Sequence, residues 1–202
     1  MKYKSYLLLF PLIVCLGIVI TSSPSWGESI SEARPYKEAY HMAYKAILTN
    51  PQEAIKIIKE VLRRNIPVRM EDTFYVTSIA SLALRPVFRE FAVGKELLQK
   101  VVAVKANDYQ SNAILFSLSL VENNSIEAER YATNLLMADY EGYIRQMEPA
   151  SQSSIPIIKE YLTGVADLYQ NLYNFFLSQG NEKAAESAIA IADRIRARYL
   201  KK

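Results

Sequence analysis

Apolar residues in this chain recur every three or four positions, again and again, between short polar breaks. That spacing places one apolar face along a helix. No stretch alternates apolar and polar residues between hairpin turns, as a half-buried strand would. The constraint is strong: the chain has to fold as helices packed on helices. The breaks set the bounds. Asn50-Pro51 separates a helix over about 32–48 from one over about 51–64, with Pro51 opening the second. Asn65-Ile66-Pro67 ends that one, and a third covers about 71–84, stopped by Arg85-Pro86. Further helices are expected over about 88–105, 108–121 and 125–138, the last two parted by Glu122-Asn123-Asn124. Residues 140–155 read as irregular, with Gly142, Pro149 and the polar run Ala150-Ser151-Gln152-Ser153-Ser154. Two longer helices, about 156–178 and 181–200, flank Gln179-Gly180-Asn181. Eight helices in four hairpins is the simplest all-α arrangement.

The amino end obeys a different pattern. Lys2 and Lys4 precede an apolar run from Tyr6 to Ile20, and a turn-prone stretch follows it, Thr21 to Gly27. Ser25 and Gly27 set small side chains three and one residues before Glu28. These are the parts of a secretory signal peptide, residues 1–27, and the expected product is exported, periplasmic or secreted. The apolar run of roughly 15 residues falls short of the roughly 20 that span a bilayer as a helix. An uncleaved anchor stays open as the alternative. Lipidation at Cys15 is disfavoured by Val14, which stands where a small residue is required.

Removing 27 of 202 residues leaves 175, enough for a single helical domain, 28–202, with a real core. The one Cys and the one Trp both leave with the leader, so no disulfide framework or thiol nucleophile remains. Lys2 and Lys4 leave too, so 22 of 24 basic residues face 21 acidic ones and net charge falls from +3 to +1. A nearly neutral chain lacks the many phosphate contacts of a nucleic-acid binder.

The internal repetition is more informative. Tyr169, Leu172 and Phe176 follow as large-x2-Leu-x3-aromatic, with Tyr173 beside them. Gly180-Asn181 makes the turn, and Ala185, Ile189 and Ala192 follow as small-bulky-small. Two small residues let the second helix approach the first, and Ile189 is expected to fill the gap between them. The same offset recurs as Ala54, Ile58, Val61, as Gly94, Leu98, Val101, and as Ala128, Ala132, Leu135, where Ala132 is small for the bulky place. Gly94 to Ala128 is a step of 34; Ala54 to Gly94 is 40, and Ala128 to Ala185 is 57. This pattern is similar to the tetratricopeptide repeat over most of residues 32–200, and closest in the last hairpin. The turn glycine occurs only as Gly180, and the first helices lack the expected Trp. The resemblance implies stacked antiparallel hairpins, an α-solenoid, with a groove that binds a peptide or protein partner.

Chemistry-bearing residues are sparse. His41 is the only histidine, without a His or Cys to share a metal, and is expected on a solvated face near Glu38 and Lys45. No Gly-rich phosphate loop or nucleophile elbow occurs. Glu71-Asp72 suits the first turn of a helix, where carboxylates offset the macrodipole. The expectation is therefore no enzyme, no metal and no cofactor. The formal glycosylation sequon Asn123-Asn124-Ser125 adds little.

What remains is tyrosine. Tyr36, Tyr40 and Tyr44 form an i, i+4, i+8 stripe, and Tyr161, Tyr169 and Tyr173 lie along the seventh helix. An apolar body with a polar tip suits a contact surface. These six are the candidate partner-binding residues; core packing with the hydroxyl at the edge is the competing reading for each. Lys56, Lys59, Arg63 and Arg64 give the second helix a basic face, and Arg194, Arg196, Arg198, Lys201 and Lys202 crowd the carboxyl end, where weak contact with acidic surfaces is conceivable. The leading expectation is an exported adaptor. The alternatives are a small-molecule carrier with an apolar cavity between helices, and an enzyme whose carboxylates and tyrosines converge only in three dimensions.

Overall fold

The computed structural model describes residues 34–145 and 155–200, with backbone only for 155–157. The leader segment, the stretch 146–154, Lys201 and Lys202 lie outside the described residues, and so do the expectations that fall on them. Nine α-helices occur among the described residues, and no strand. They are α1 (Pro35–Thr49), α2 (Pro51–Arg63), α3 (Thr73–Ala83), α4 (Phe91–Val104), α5 (Tyr109–Val121), α6 (Ser125–Leu136), α7 (Tyr140–Arg145), α8 (Ile155–Ser178) and α9 (Glu182–Ile195). A 3-10 turn, Met70–Asp72, leads into α3, and a π-helical turn, Arg196–Leu200, follows α9. The irregular stretch expected at about 140–155 thus begins with a short helix, α7. Among the described helices none is long and apolar enough to cross a membrane; α8 runs for 24 residues but carries Lys159, Glu160 and Asp167.

Polar side chains at the breaks start the helices. Asn50, Asp108, Asn124 and Asn181 each accept a hydrogen bond from the backbone N–H three residues on, at 3.1–3.3 Å. Each satisfies one orphan donor of its helix, typically worth about 1 kcal/mol. Pro35 and Pro51 open α1 and α2, where the missing N–H costs nothing.

The described residues gather into two compact units, 34–106 and 107–200. In the N-terminal unit α1 pairs with α2 and α3 with α4, while α1 lies along α3 and α2 touches both α3 and α4. In the C-terminal unit α5 pairs with α6 and α8 with α9, and α6 touches α9. The small-bulky-small positions are where these pairs close. Ala54, Ile58 and Val61, then Gly94, Leu98 and Val101, then Ala128, Ala132 and Leu135 are all buried. A Cβ on Gly94 would lie 2.6 Å from Leu84 Cγ and 3.2 Å from the Ala80 carbonyl, so α4 approaches α3 more closely than a side chain permits. The last series differs from expectation. Ile189 is only half-buried, and the close contact is made by Ala185, Ala188 and Ala192, all fully buried.

Two turns in the C-terminal unit have the same construction. Gly180 has φ +73° and Asn123 has φ +54°, and each precedes the capping asparagine of the next helix. Asn124 N–H bonds Ser119 O at 2.8 Å and Asn181 N–H bonds Phe176 O at 2.9 Å, the same six-residue closure. Asparagine thus fills at position 123 the left-handed role that glycine fills at 180, since a short polar side chain tolerates that backbone. The offset between the turns is 57 residues, the same as from Ala128 to Ala185.

Candidate partner-binding site

Five rings from two helices meet on the N-terminal unit. The 3-10 turn sets up one side: Asp72 Oδ2 accepts from Arg69 N–H at 3.2 Å, and Thr73 Oγ1 donates to Met70 O at 2.9 Å. From that start α3 buries Thr73, Val76, Thr77, Ile79 and Ala80. By helical rotation this leaves Phe74 pointing outward and Tyr75 on the flank. On α1 the buried line is Tyr36, Ala39, Ala43 and Ala46, so Tyr40, His41 and Tyr44 fall on the shoulder beside it.

Across this seam Tyr40 lies 5.9 Å from Tyr44, 6.0 Å from Tyr75 and 6.4 Å from Phe74, ring centre to ring centre. His41 is 5.3 Å from Tyr40 and 6.2 Å from Tyr75. Phe74 meets Tyr75 edge to face at 5.3 Å. These separations are direct ring contacts, the geometry aromatic pairs favour. The cluster is not sealed: Phe74 is 62 % exposed, and Met70, one turn earlier, is 56 % exposed. Large apolar side chains grouped at a surface mark contact sites.

Burial, then Tyr44, raises the pKa of the Tyr40 hydroxyl; Arg85 opposes the shift, and Tyr75 adds to it. Burial, then the Lys37 ammonium, lowers the His41 pKa. Both shifts favour the neutral forms, the hydroxyl of Tyr40 and the imidazole of His41. The cluster can take up an apolar or aromatic side chain and hydrogen-bond the backbone beside it. Among the described residues no three His, Asp or Glu side chains come together as a metal site would require.

The six candidate tyrosines part company. Tyr36 is fully buried and its hydroxyl donates to Ile66 O. Tyr169 is 0 % exposed and donates to Leu135 O at 2.9 Å. Tyr161 is buried as well. These three lie in the core as folded, and Tyr36 and Tyr169 place their hydroxyls on backbone carbonyls. Tyr40, Tyr44 and Tyr173 are half-buried, and the cluster brings the first two together. His41 was expected on a solvated face, yet it is half-buried between two tyrosine rings. Phe74 and Tyr75 were not singled out by sequence. Adjacent aromatics in the first turn of a helix were the available signal.

The basic stretches are largely neutralised within the chain. Lys56 pairs with Glu53, Lys59 with Glu90 at 2.6 Å, and Arg63 and Arg64 both with Glu60, whose carboxyl these hydrogen bonds hold down at about 2. Arg196 pairs with Asp167 and Asp193, Arg198 pairs with Glu141, and Arg194 donates to the Tyr140 hydroxyl. Lys56, Arg63 and Arg64 pair along their own helix, whereas Lys59, Arg196 and Arg198 reach another segment of their unit. Set against known protein families, curated proteins and solved structures, the chain matches none of them.

Proposed function

We propose that this chain is an exported, tetratricopeptide-like adaptor that binds a peptide or protein partner and performs no chemistry of its own. The observation that carries the reading is the half-exposed ring cluster Tyr40, His41, Tyr44, Phe74 and Tyr75 on α1 and α3. These are the first helices of two successive pairs, and they lie along each other. In solenoids of this kind the first helices line the concave side, where partners lodge. An aromatic anchor on such a surface supplies contact area at low entropic cost. The repeated close positions at Ala54, Gly94, Ala128 and Ala185 support the repeat reading. Export rests on the leader pattern, and a mature chain beginning at Glu28 is the expected mass.

A photo-crosslinking amino acid at position 74, in cells that make the protein, tests the adaptor reading. A discrete adduct is expected from position 74 and none from position 126, where Ile126 is 81 % exposed on α6, away from the α1 and α3 rings in sequence. No adduct at 74, or equal adducts at both positions, would count against a partner site on α1 and α3.

A further inference from the structure

The C-terminal unit has an aromatic recess of its own, and it is filled from within. Tyr109 on α5 and Tyr161 and Tyr169 on α8 are all buried. The six-residue helix α7 reaches into them. Tyr143 packs on Tyr109 with ring centres 4.8 Å apart and lies 5.9 Å from Tyr161, and the hydroxyls of Tyr143 and Tyr161 are hydrogen-bonded. Tyr140 meets Tyr169 edge to face at 5.6 Å, and Ile144 is buried between its neighbours. Burial pushes the Tyr143 hydroxyl up to about 12 and the hydroxyls of Tyr109 and Tyr161 well above their ordinary value.

We propose that α7 is a built-in occupant of this recess, an autoinhibitory contact standing where a partner's helical segment with two tyrosines three residues apart would bind. The local energetics make α7 removable. Isolated helices shorter than about 12 residues are marginal in water, and α7 has six. Its first turn is held by one cap, the Gly142 N–H donating to the Asp139 carboxylate at 2.7 Å. Its polar contacts lie at the edge: Glu141 pairs with Arg198 at 3.5 Å and Arg145 at 3.9 Å, and Arg194 donates to Tyr140 at 3.3 Å. Exposed pairs of this kind hold little. What keeps α7 in place is two tyrosines and Ile144, the chemistry a competing segment would bring. Segments with few buried contacts are the ones that open locally while the rest stays folded. This inference stands on the contacts of the C-terminal unit and is independent of the α1–α3 cluster.

A fluorescent peptide copying residues 137–145 is the probe. It is expected to bind the double variant Tyr140→Ala, Tyr143→Ala, whose own plug is gone, at least tenfold more tightly than the unaltered chain. A peptide with both tyrosines replaced by alanine should lose that binding. Equal binding to variant and unaltered chain, or binding that survives loss of the peptide's tyrosines, would overturn the proposal. Hydrogen exchange on the unaltered chain keeps the test decisive if the variant does not fold. Amides of α7 should exchange at least tenfold faster than those of Val165 to Tyr169 in α8. Exchange as slow as in α8 would make α7 core rather than plug, and would overturn the proposal equally.

Discussion

The two units use tyrosine in opposite ways. In the N-terminal unit Tyr40, Tyr44, Tyr75 and Phe74 stand in a half-open cluster, with only Tyr36 drawn inside. In the C-terminal unit Tyr109, Tyr140, Tyr161 and Tyr169 are buried, and Tyr143 is wedged among them. The helices are built alike: asparagine caps, close small-residue contacts and short turns occur in both. What differs is α7. The C-terminal unit has a segment folded back over its rings, and nothing comparable covers Phe74 among the described residues. A ring is therefore core or contact surface according to what the chain lays upon it.

The sharpest way to break this comparison is alkali. Hydroxyls whose pKa burial raises above the ordinary value stabilise the fold fully below about pH 10, and that stability is lost as pH climbs through the folded values. The C-terminal unit has five such hydroxyls raised chiefly by burial, Tyr109, Tyr140, Tyr143, Tyr161 and Tyr169. In the N-terminal unit Tyr36 is raised to about 12 and Tyr40 is raised also. Between pH 10 and 12 the C-terminal unit should lose its amide protection first, followed by hydrogen exchange alongside tyrosinate absorbance. Simultaneous loss in both units would erase the distinction.

Single replacements come next in size. Tyr169→Ala removes a fully buried ring and its hydrogen bond to the Leu135 carbonyl, at a cost of about 3–5 kcal/mol in chemical denaturation. Phe74→Ala, at a largely exposed ring, should stay within about 1 kcal/mol. Comparable losses for the two would mean that the α1–α3 cluster is core after all. Gly94→Ala should cost about 1–3 kcal/mol, because its Cβ collides with Leu84. An unchanged denaturation midpoint would show that α4 can give way, and would weaken the close-packed pair.

Partner capture gives the smallest energies but bears most directly on function. Tyr40→Ala should weaken capture about thirtyfold, an anchor of about 2 kcal/mol. His41→Ala should change it by less than about threefold. The sign of the pH effect follows from the lowered His41 pKa. The folded chain favours neutral imidazole, so the cluster is at full stability above about pH 6.5 and loses some as pH falls towards the folded value. Titrating both variants against the crosslinked partner at pH 7.5 and pH 5.5 separates the roles. A large loss with His41→Ala and none with Tyr40→Ala would point to an ionisable site rather than an aromatic anchor.

Much of the helical framework could be read from sequence. The second helix, expected over about 51–64, is Pro51–Arg63, and the fifth, expected over about 108–121, is Tyr109–Val121. Both were bounded by residues whose local chemistry stops or starts a helix: Asn50-Pro51, Asp108, and Asn123 with its left-handed backbone. The fourth helix was expected from about 88 and begins at Phe91. There Arg89 takes φ +54° and Glu90 N–H reaches back to Ala83 O, a closure that depends on α3 being in place.

The sequence by itself determined the all-helical content, the close positions at Ala54, Gly94, Ala128 and Ala185, and the stripe from Tyr36 to Tyr44, because spacing and side-chain size act locally. Tertiary structure alone decided which rings face water. Tyr36 and Tyr40 are one turn apart on the same helix, yet one is sealed against Ile66 and the other shares an open cluster with Phe74 and Tyr75. Periodicity gives the direction in which a side chain points along its own helix. Whether it meets another helix, a folded-back segment such as α7, or solvent depends on contacts between residues distant in sequence, and no local pattern records those.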